Sequence, residues 1–416
     1  MTGPERRGSV RPDLLTPDLH WIAGGFLLMM GSGFGQTYFI SLYAAELKAA
    51  FSLSESAFSA LYMAGTLGSA ITLIWLGKLA DRWPIRWLGL CVMGGLALAC
   101  LGMSVVNSAI MLGFVFYGLR LFGQGMMTHV ALTAMGRWFV KKRGRAVSLA
   151  VMGLSAAEAS FPPMAVLVIG LTGDWRLSWQ VYILLLLGFY APLFMLCIRR
   201  ERTPDDDRVS LDDAPPSEQR QWTRAEVLRD PLFYGLLAGV MAPPVLMTGI
   251  FFNQTVLVDL KGWDLSWFAG SYWIMSIAFV LSSLLAGRVI DRVHSRVLLP
   301  FFLIPLGCGA ALLALAQSPQ TVFAVMALIG MTSGSGTTLF GALWPELYGV
   351  AHLGTIRAGL SSIMVFGTAA APLIMGVALD AGVPLTTQLW VMAGYCGAAT
   401  LGMAALVPAL NRQIAG

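Results

Sequence analysis

A chain of 416 residues with 57% hydrophobic and only 12% charged side chains, and a mean hydropathy of +0.72, falls far from the quarter-charged composition of a soluble domain. These proportions exclude a water-solvated globule, and continuous apolar runs exclude a membrane β-barrel, whose strands alternate over about 10 residues. The net charge of +5 and pI near 9.0 come with no basic, aromatic-interleaved soluble face, which argues against a nucleic-acid partner.

Twelve apolar runs follow, each long enough as a helix to cross a hydrocarbon core of roughly 30 Å. The first six cover 21–46, 56–77, 87–106, 109–135, 146–170 and 177–198. The second six cover 232–258, 266–287, 297–316, 320–344, 356–380 and 386–408. The expected fold is an all-α membrane protein of twelve transmembrane helices in two pseudo-symmetric six-helix bundles. The first run exceeds the 7 to 15 apolar residues of a secretory leader, and the five cysteines, inside or at the edges of runs, read as small core residues.

Span one carries Gln36, Thr37 and Tyr38, and span two carries Tyr62 and ends in GKLADRWPIR at 77–86. Arg120 lies within span four and Glu158 within span five, where an ionisable group costs several kcal/mol unless a cavity or partner receives it. Counted from Arg137 and Arg145, both lie about 20–25 Å deep at 1.5 Å per residue. An Arg120–Glu158 pair is therefore allowed, and protonating the acid would free the Arg for an anion. A permanent ion pair, or an Arg satisfied by backbone carbonyls, stays open. His129, nine residues beyond Arg120, falls on the other side of the helix and reads as a packing residue.

Residues 199–231 form a polar linker, flanked by an N-terminal segment 1–20, bundles at 21–198 and 232–408, and a tail at 409–416. In span seven, Asn253, Gln254 and Thr255 balance the polar group of span one, and Tyr272 in span eight balances Tyr62. Buried amides and phenols need partners, so Gln36, Tyr38, Tyr62, Arg120, Glu158, Asn253, Gln254 and Tyr272 are the candidate substrate and coupling residues. Interhelical hydrogen bonding is the competing role for the uncharged ones. Pro162-Pro163, Pro243-Pro244 and Pro372 are expected to kink or break their helices.

GRVIDRVHSR at 287–296 repeats the first loop pattern, GxxxDRxxxR, at an offset of 210; Tyr62/Tyr272, Gly144/Gly354 and Pro162/Pro372 keep the same offset. Duplicated six-helix halves with a site between them are a standard transporter construction. Of 27 Lys and Arg, 23 fall on the side of the termini and of these loops, which predicts cytoplasmic termini.

The doubled loop, the twelve spans and YGLRLFGQG at 117–125 resemble the major facilitator superfamily over nearly the whole chain. The resemblance implies a latch that opens and closes the cytoplasmic side, built here from Gly77, Asp81, Arg82, Arg137, Gly287, Asp291 and Arg292. Glycine allows close helix approach, and each Asp can cap a neighbouring helix or pair with Arg137 or Arg357. GRWFVKKRGRAVSLAVMGLS at 136–155 resembles the monocarboxylate and oxalate/formate branch. Departures from that branch are the HWIAGG opening, Ser282-Ser283 in span eight, no Lys in span eleven, and Glu158 at a small-residue position.

The expected function is secondary active transport of a small organic solute, a mono- or dicarboxylate first, with a proton as candidate coupling ion. Export of amphipathic compounds is the alternative, favoured by 32 Phe and Tyr residues. With no Walker loop, HExxH or GxSxG in the sequence, neither an enzyme nor an ATP-driven pump is expected, nor a cofactor or metal. The expected setting is a monomer in the bacterial inner membrane.

Overall fold

The computed structural model describes residues 19–139, 143–199, 220–349 and 352–415. Most of the N-terminal segment, most of the linker, Val140, Lys141 and Lys142 of the 136–155 stretch, and Gly416 of the tail lie outside the described residues. The described residues are almost entirely helical. We number the crossing helices α1 (Leu19–Gly31), α2 (Glu55–Arg82), α3 (Ile85–Val105), α4 (Ala109–Trp138), α5 (Arg143–Thr172) and α6 (Trp175–Cys197). The second set is α7 (Pro231–Phe252), α8 (Leu265–Val293), α9 (Ile304–Leu315), α10 (Thr321–Tyr348), α11 (Leu353–Asp380) and α12 (Leu385–Ala415).

Ten of these are long and apolar enough to cross a membrane; α1 and α9 complete the crossings as irregular ones. Local chemistry starts the regular helices: Ser54, Ser108 and Asp230 each accept a backbone N–H in the first turn, and Pro231 occupies the position where a missing N–H costs nothing. Ile110, Phe114, Leu171, Leu184 and Leu401 are each more than 70% exposed, an apolar exterior that suits lipid and not water. The protein is a multi-pass integral membrane protein.

Four expected runs are not single helices, span eight being interrupted at Gly270-Ser271. Span one breaks after Gly31 into a tight turn at Ser32–Gly35 and further short segments before Ala44–Phe51, because Gly31, Gly33 and Gly35 weaken the ladder. Span nine opens on a 3₁₀ turn at Ser295–Leu298 and becomes α-helical only at Ile304, since Pro300 has no N–H to continue a helix and Pro305 suits its first turn. Span seven stops at Phe252, and a separate helix, Gln254–Lys261, follows Asn253. Conversely, α5, α7 and α11 run unbroken through their prolines.

Helix ends gather on two faces. On the first, which carries the GxxxDRxxxR loops and is called the motif face, Arg86 Nη1 donates to Arg199 O (3.3 Å) and Trp222 N to Tyr348 O (3.0 Å). On the opposite face, Arg176 Nη2 donates to Val106 O (3.0 Å) and Lys261 Nζ to Ala316 O (2.7 Å).

Candidate functional site

The expected site residues separate into three groups. The first surrounds Arg120. Gly35 and Gly123 sit back to back, so that a Cβ on Gly123 would lie 2.6 Å from Gly35 Cα, and only glycine on both chains permits this approach. Within α4, residues Leu119–Met127 widen into i→i+5 turns, a local bulge common where helices carry function. Together these features bring Arg120 Nη1 to Gly35 O (3.2 Å) and Thr37 Oγ1 (3.3 Å), with the guanidinium 5.3 Å from the Tyr62 ring centre. Tyr62 and Thr37 share a hydrogen bond of 2.6 Å.

Arg120 is 4% exposed, yet both of its bonds use Nη1, so Nε and Nη2 have no partner among the described residues. Nearby on the same helix, Gln124 Oε1 is buried and unpartnered. Among the described residues, the Gln36 side chain reaches only Ser32 Oγ, at 3.5 Å. The allowed Arg120–Glu158 pair is not formed: among the described residues no ion pair joins them, and Arg120 takes the backbone-carbonyl alternative.

The second group forms a seam between the halves. Gln254 Nε2 donates to Tyr38 O (2.9 Å) and Ser41 Oγ (2.8 Å), and Ser41 Oγ donates to Phe251 O (2.8 Å). Tyr272 Oη donates to Gln254 Oε1 (3.1 Å), and the Tyr38 and Tyr272 rings lie 5.7 Å apart. Phe252 continues this aromatic plug against Tyr62 and Phe58, at 4.8 and 5.4 Å between ring centres. Asn253 instead turns into its own half, donating to Gly249 O at 2.9 Å. Glu158 lies on α5, which meets α8 of the other half one turn earlier, where Ser276 Oγ donates to Ser155 O (3.0 Å). Tyr38, Gln254 and Tyr272 thus join the two halves in this conformer.

The third group is the latch. His129 Nε2 bonds to Gly77 O at 3.0 Å, so the expected packing residue clamps the loop, and a Cβ on Gly77 would lie 3.2 Å from that nitrogen. Arg137 Nη1 donates to Ala80 O (2.6 Å) and not to Asp81. Asp81, Arg82, Asp291 and Arg292 are exposed, and among the described residues neither Asp has an ion partner. Gly287 has room around it, its nearest would-be contact being Thr338 Cγ2 at 3.9 Å. Arg357 donates to Gly341 O (3.0 Å) and does not pair with Asp291.

An open space lies elsewhere, among α7, α10 and α11. A cavity of ≈ 590 Å³ reaches from mid-membrane toward the motif face and is lined by Met247, Thr332, Ser333, Phe340, Trp344 and Arg357, among others. Pro243 and Pro244 also line it and cannot donate to the carbonyls one turn earlier, which leaves acceptors near its wall. None of the expected substrate residues lines this cavity. Its signal was present in the sequence as TSGSGTT at 332–338, hydroxyls recurring at i and i+4 on α10.

Among the described residues, every hydrogen bond between the halves lies on the opposite face or near the middle, and none on the motif face. Among the described residues, the hydrogen bonds that join the halves are thus gathered away from the motif face.

The Major Facilitator Superfamily model matches residues 25–372. A bacterial homolog of the human lysosomal transporter Spinster, in an inward-facing and unoccupied conformation, superposes with a TM-score of 0.66 at 16% identity, covering 96% of each chain. A mutant of the nucleoside transporter NupG gives 0.66 at 15% identity, covering 94% of this chain and 99% of that one. No curated protein matches the chain. At such identities the structures share a fold, and their cargoes remain their own.

Proposed function

The chain belongs to the Major Facilitator Superfamily, a transporter and not an enzyme, and from that premise we propose that it moves a small organic anion by alternating access. The observation that carries this reading is the ≈ 590 Å³ cavity, open toward the motif face and shut from the other side by the seam. Its volume falls in the range of small-molecule sites. Among the described residues, Arg357 is the one charged residue in its wall, beside the hydroxyls of Thr332, Ser333, Thr337 and Ser361, so the wall favours a carboxylate over a cation. Deeper in the first half, Arg120 keeps free donors for a second anionic contact once the seam opens.

Glu158 is the candidate coupling group, because an acid among the moving seam residues exchanges its environment whenever the halves rock. A proton is the ion this chemistry fits. Basic loops support a cytoplasmic motif face, which makes this conformer the inward-open one on our reading; the same reading takes the protein as a monomer in the bacterial inner membrane.

The aromatic and thioether wall of Met247, Phe340, Trp344 and Met364 favours a second reading, export of amphipathic compounds. Thermal unfolding of the purified protein against carboxylates, sugars, amino acids and amphipathic drugs tests both, since a ligand that binds the folded state raises its melting temperature. Stabilisation by carboxylates, lost in Arg357→Ala, is expected; stabilisation by uncharged or cationic drugs alone would overturn the anion reading.

A further inference from the structure

The opposite face is closed by a contact that no sequence motif announces. At the end of α11, Asp380 Oδ1 accepts from Glu55 N at 3.2 Å and Oδ2 from Ser56 N at 3.0 Å. Both donors belong to the first turn of α2, where N–H groups have no partner within their own helix and the helix dipole attracts negative charge. Ser54, the residue that caps α2 from its own chain segment, accepts from Ala57 N at 3.2 Å. Two side chains, one from each half, therefore divide the donors of a single helix end.

One turn before Asp380, Gly376 makes the approach possible. A Cβ there would lie 2.7 Å from Glu55 O and 2.9 Å from Ser59 Oγ, distances real side chains do not adopt. Lys48 pairs with Glu55, which neutralises the like charge that Glu55 would otherwise turn toward Asp380. Carboxylate, glycine and counter-charge are arranged around one point of contact between α2 and α11.

We propose that Asp380 is the outer latch of the transport cycle: it caps α2 across the two halves while the motif face is open, and lets go when the opposite face opens. Asp81, at the other end of the same helix α2, is exposed and has no ion partner among the described residues, so the two ends of α2 are in opposite states of engagement. This latch acts on conformation whatever the cargo is, and its test needs no substrate.

Nitroxide labels at Ala50→Cys and Val383→Cys, both exposed on the opposite face and one in each half, report the gap in a background lacking the five native cysteines. With Asp380 intact, pulsed dipolar spectroscopy is expected to give mainly one short distance. Asp380→Ala raises the long-distance population about fivefold, the order expected for losing charge-assisted contacts at a solvent-exposed helix end. Asp380→Asn, which keeps the size and loses the charge, gives an intermediate shift; Gly376→Ala, which keeps the carboxylate and blocks the approach, shifts in the same direction. Unchanged distances in both Asp380 variants, in protein of normal helicity and elution, overturn the proposal whether or not Gly376→Ala moves them.

Discussion

The two halves solve the same packing problem with opposite choices, and the difference determines where charge and space reside. In the first half α2 meets α4 through a glycine on α2: a Cβ on Gly65 would lie 2.8 Å from Tyr117 N. In the second half α8 meets α10 through glycine on α10, where a Cβ on Gly330 would lie 2.9 Å from the Ala278 side chain. Gly65 corresponds to Met275 and Gly330 to Arg120 at the repeat offset of 210. Placing the small residue on α2 leaves position 120 free to carry a guanidinium, whereas α10 spends the same position on backbone contact and carries hydroxyls one turn further on. The first half thus holds a buried charge with its partners, and the second an open, mainly apolar cavity.

The largest expected effect breaks the charged half. Arg120→Ala leaves Gly35 O without its donor and removes the buried cation; uptake into proteoliposomes should fall about a hundredfold or more, the usual scale for truncating a buried, hydrogen-bonded charge. Arg357→Ala, at the cavity, should raise KM about tenfold with a smaller change in maximal rate, since one exposed charge contact is worth roughly that factor. Equal and complete loss in both variants would end the distinction between halves.

Glu158→Gln sharpens the comparison through pH. Vesicle uptake driven by an inward proton gradient should lose its pH dependence while counterflow at equal pH persists; an unchanged profile removes Glu158 from any proton role. The two loop copies give a smaller contrast. Gly77→Ala meets His129 and its own helix at Leu73 O and should destabilise by about 1–3 kcal/mol. Gly287→Ala enters open space and should stay within about 0.5 kcal/mol of the parent, both read from thermal unfolding.

The smallest effect concerns the linker. Glu226 is held down to about 2 from an ordinary 4.5, chiefly by accepting from Thr223 N (2.7 Å), then from Thr223 Oγ1 (2.8 Å) and Arg220 (3.1 Å). A depressed acid contributes stability above its unfolded value and loses it as pH falls through the folded one. The capped turn Arg224–Val227 should therefore loosen only between about pH 4.5 and 2, seen in Trp222 fluorescence, and Glu226→Gln should abolish that transition.

Twelve crossings, their order and the doubled loop were legible because hydropathy and spacing act locally along the chain. The breaks in α1 and the late start of α9 were less so: Gly31, Gly33, Gly35 and Pro300 were visible, but whether glycine bends a membrane helix depends on what packs against it, here Gly123. Arg120 was found from the cost of burying charge, and its partners were not, because Gly35 O belongs to an irregular turn. Tyr38, Gln254 and Tyr272 were marked as polar groups that need partners; Gln254 and Tyr272 bond each other, whereas Tyr38 Oη has no partner among the described residues, and sequence alone does not say which conformer such partners belong to. The cavity went unmarked because its wall is made of ordinary Ser, Thr, Met and aromatic residues, distinguished only by a shared helix face.

The central claim is that the cavity opens to one side at a time. A single cysteine at Ser333, in a background without native cysteines, reports this with a membrane-impermeant thiol reagent in oriented vesicles. Labelling from the motif face alone in the resting protein, and from the opposite face only when the Asp380 contact is broken, is the predicted result. Labelling from both faces at once in the resting protein would contradict it.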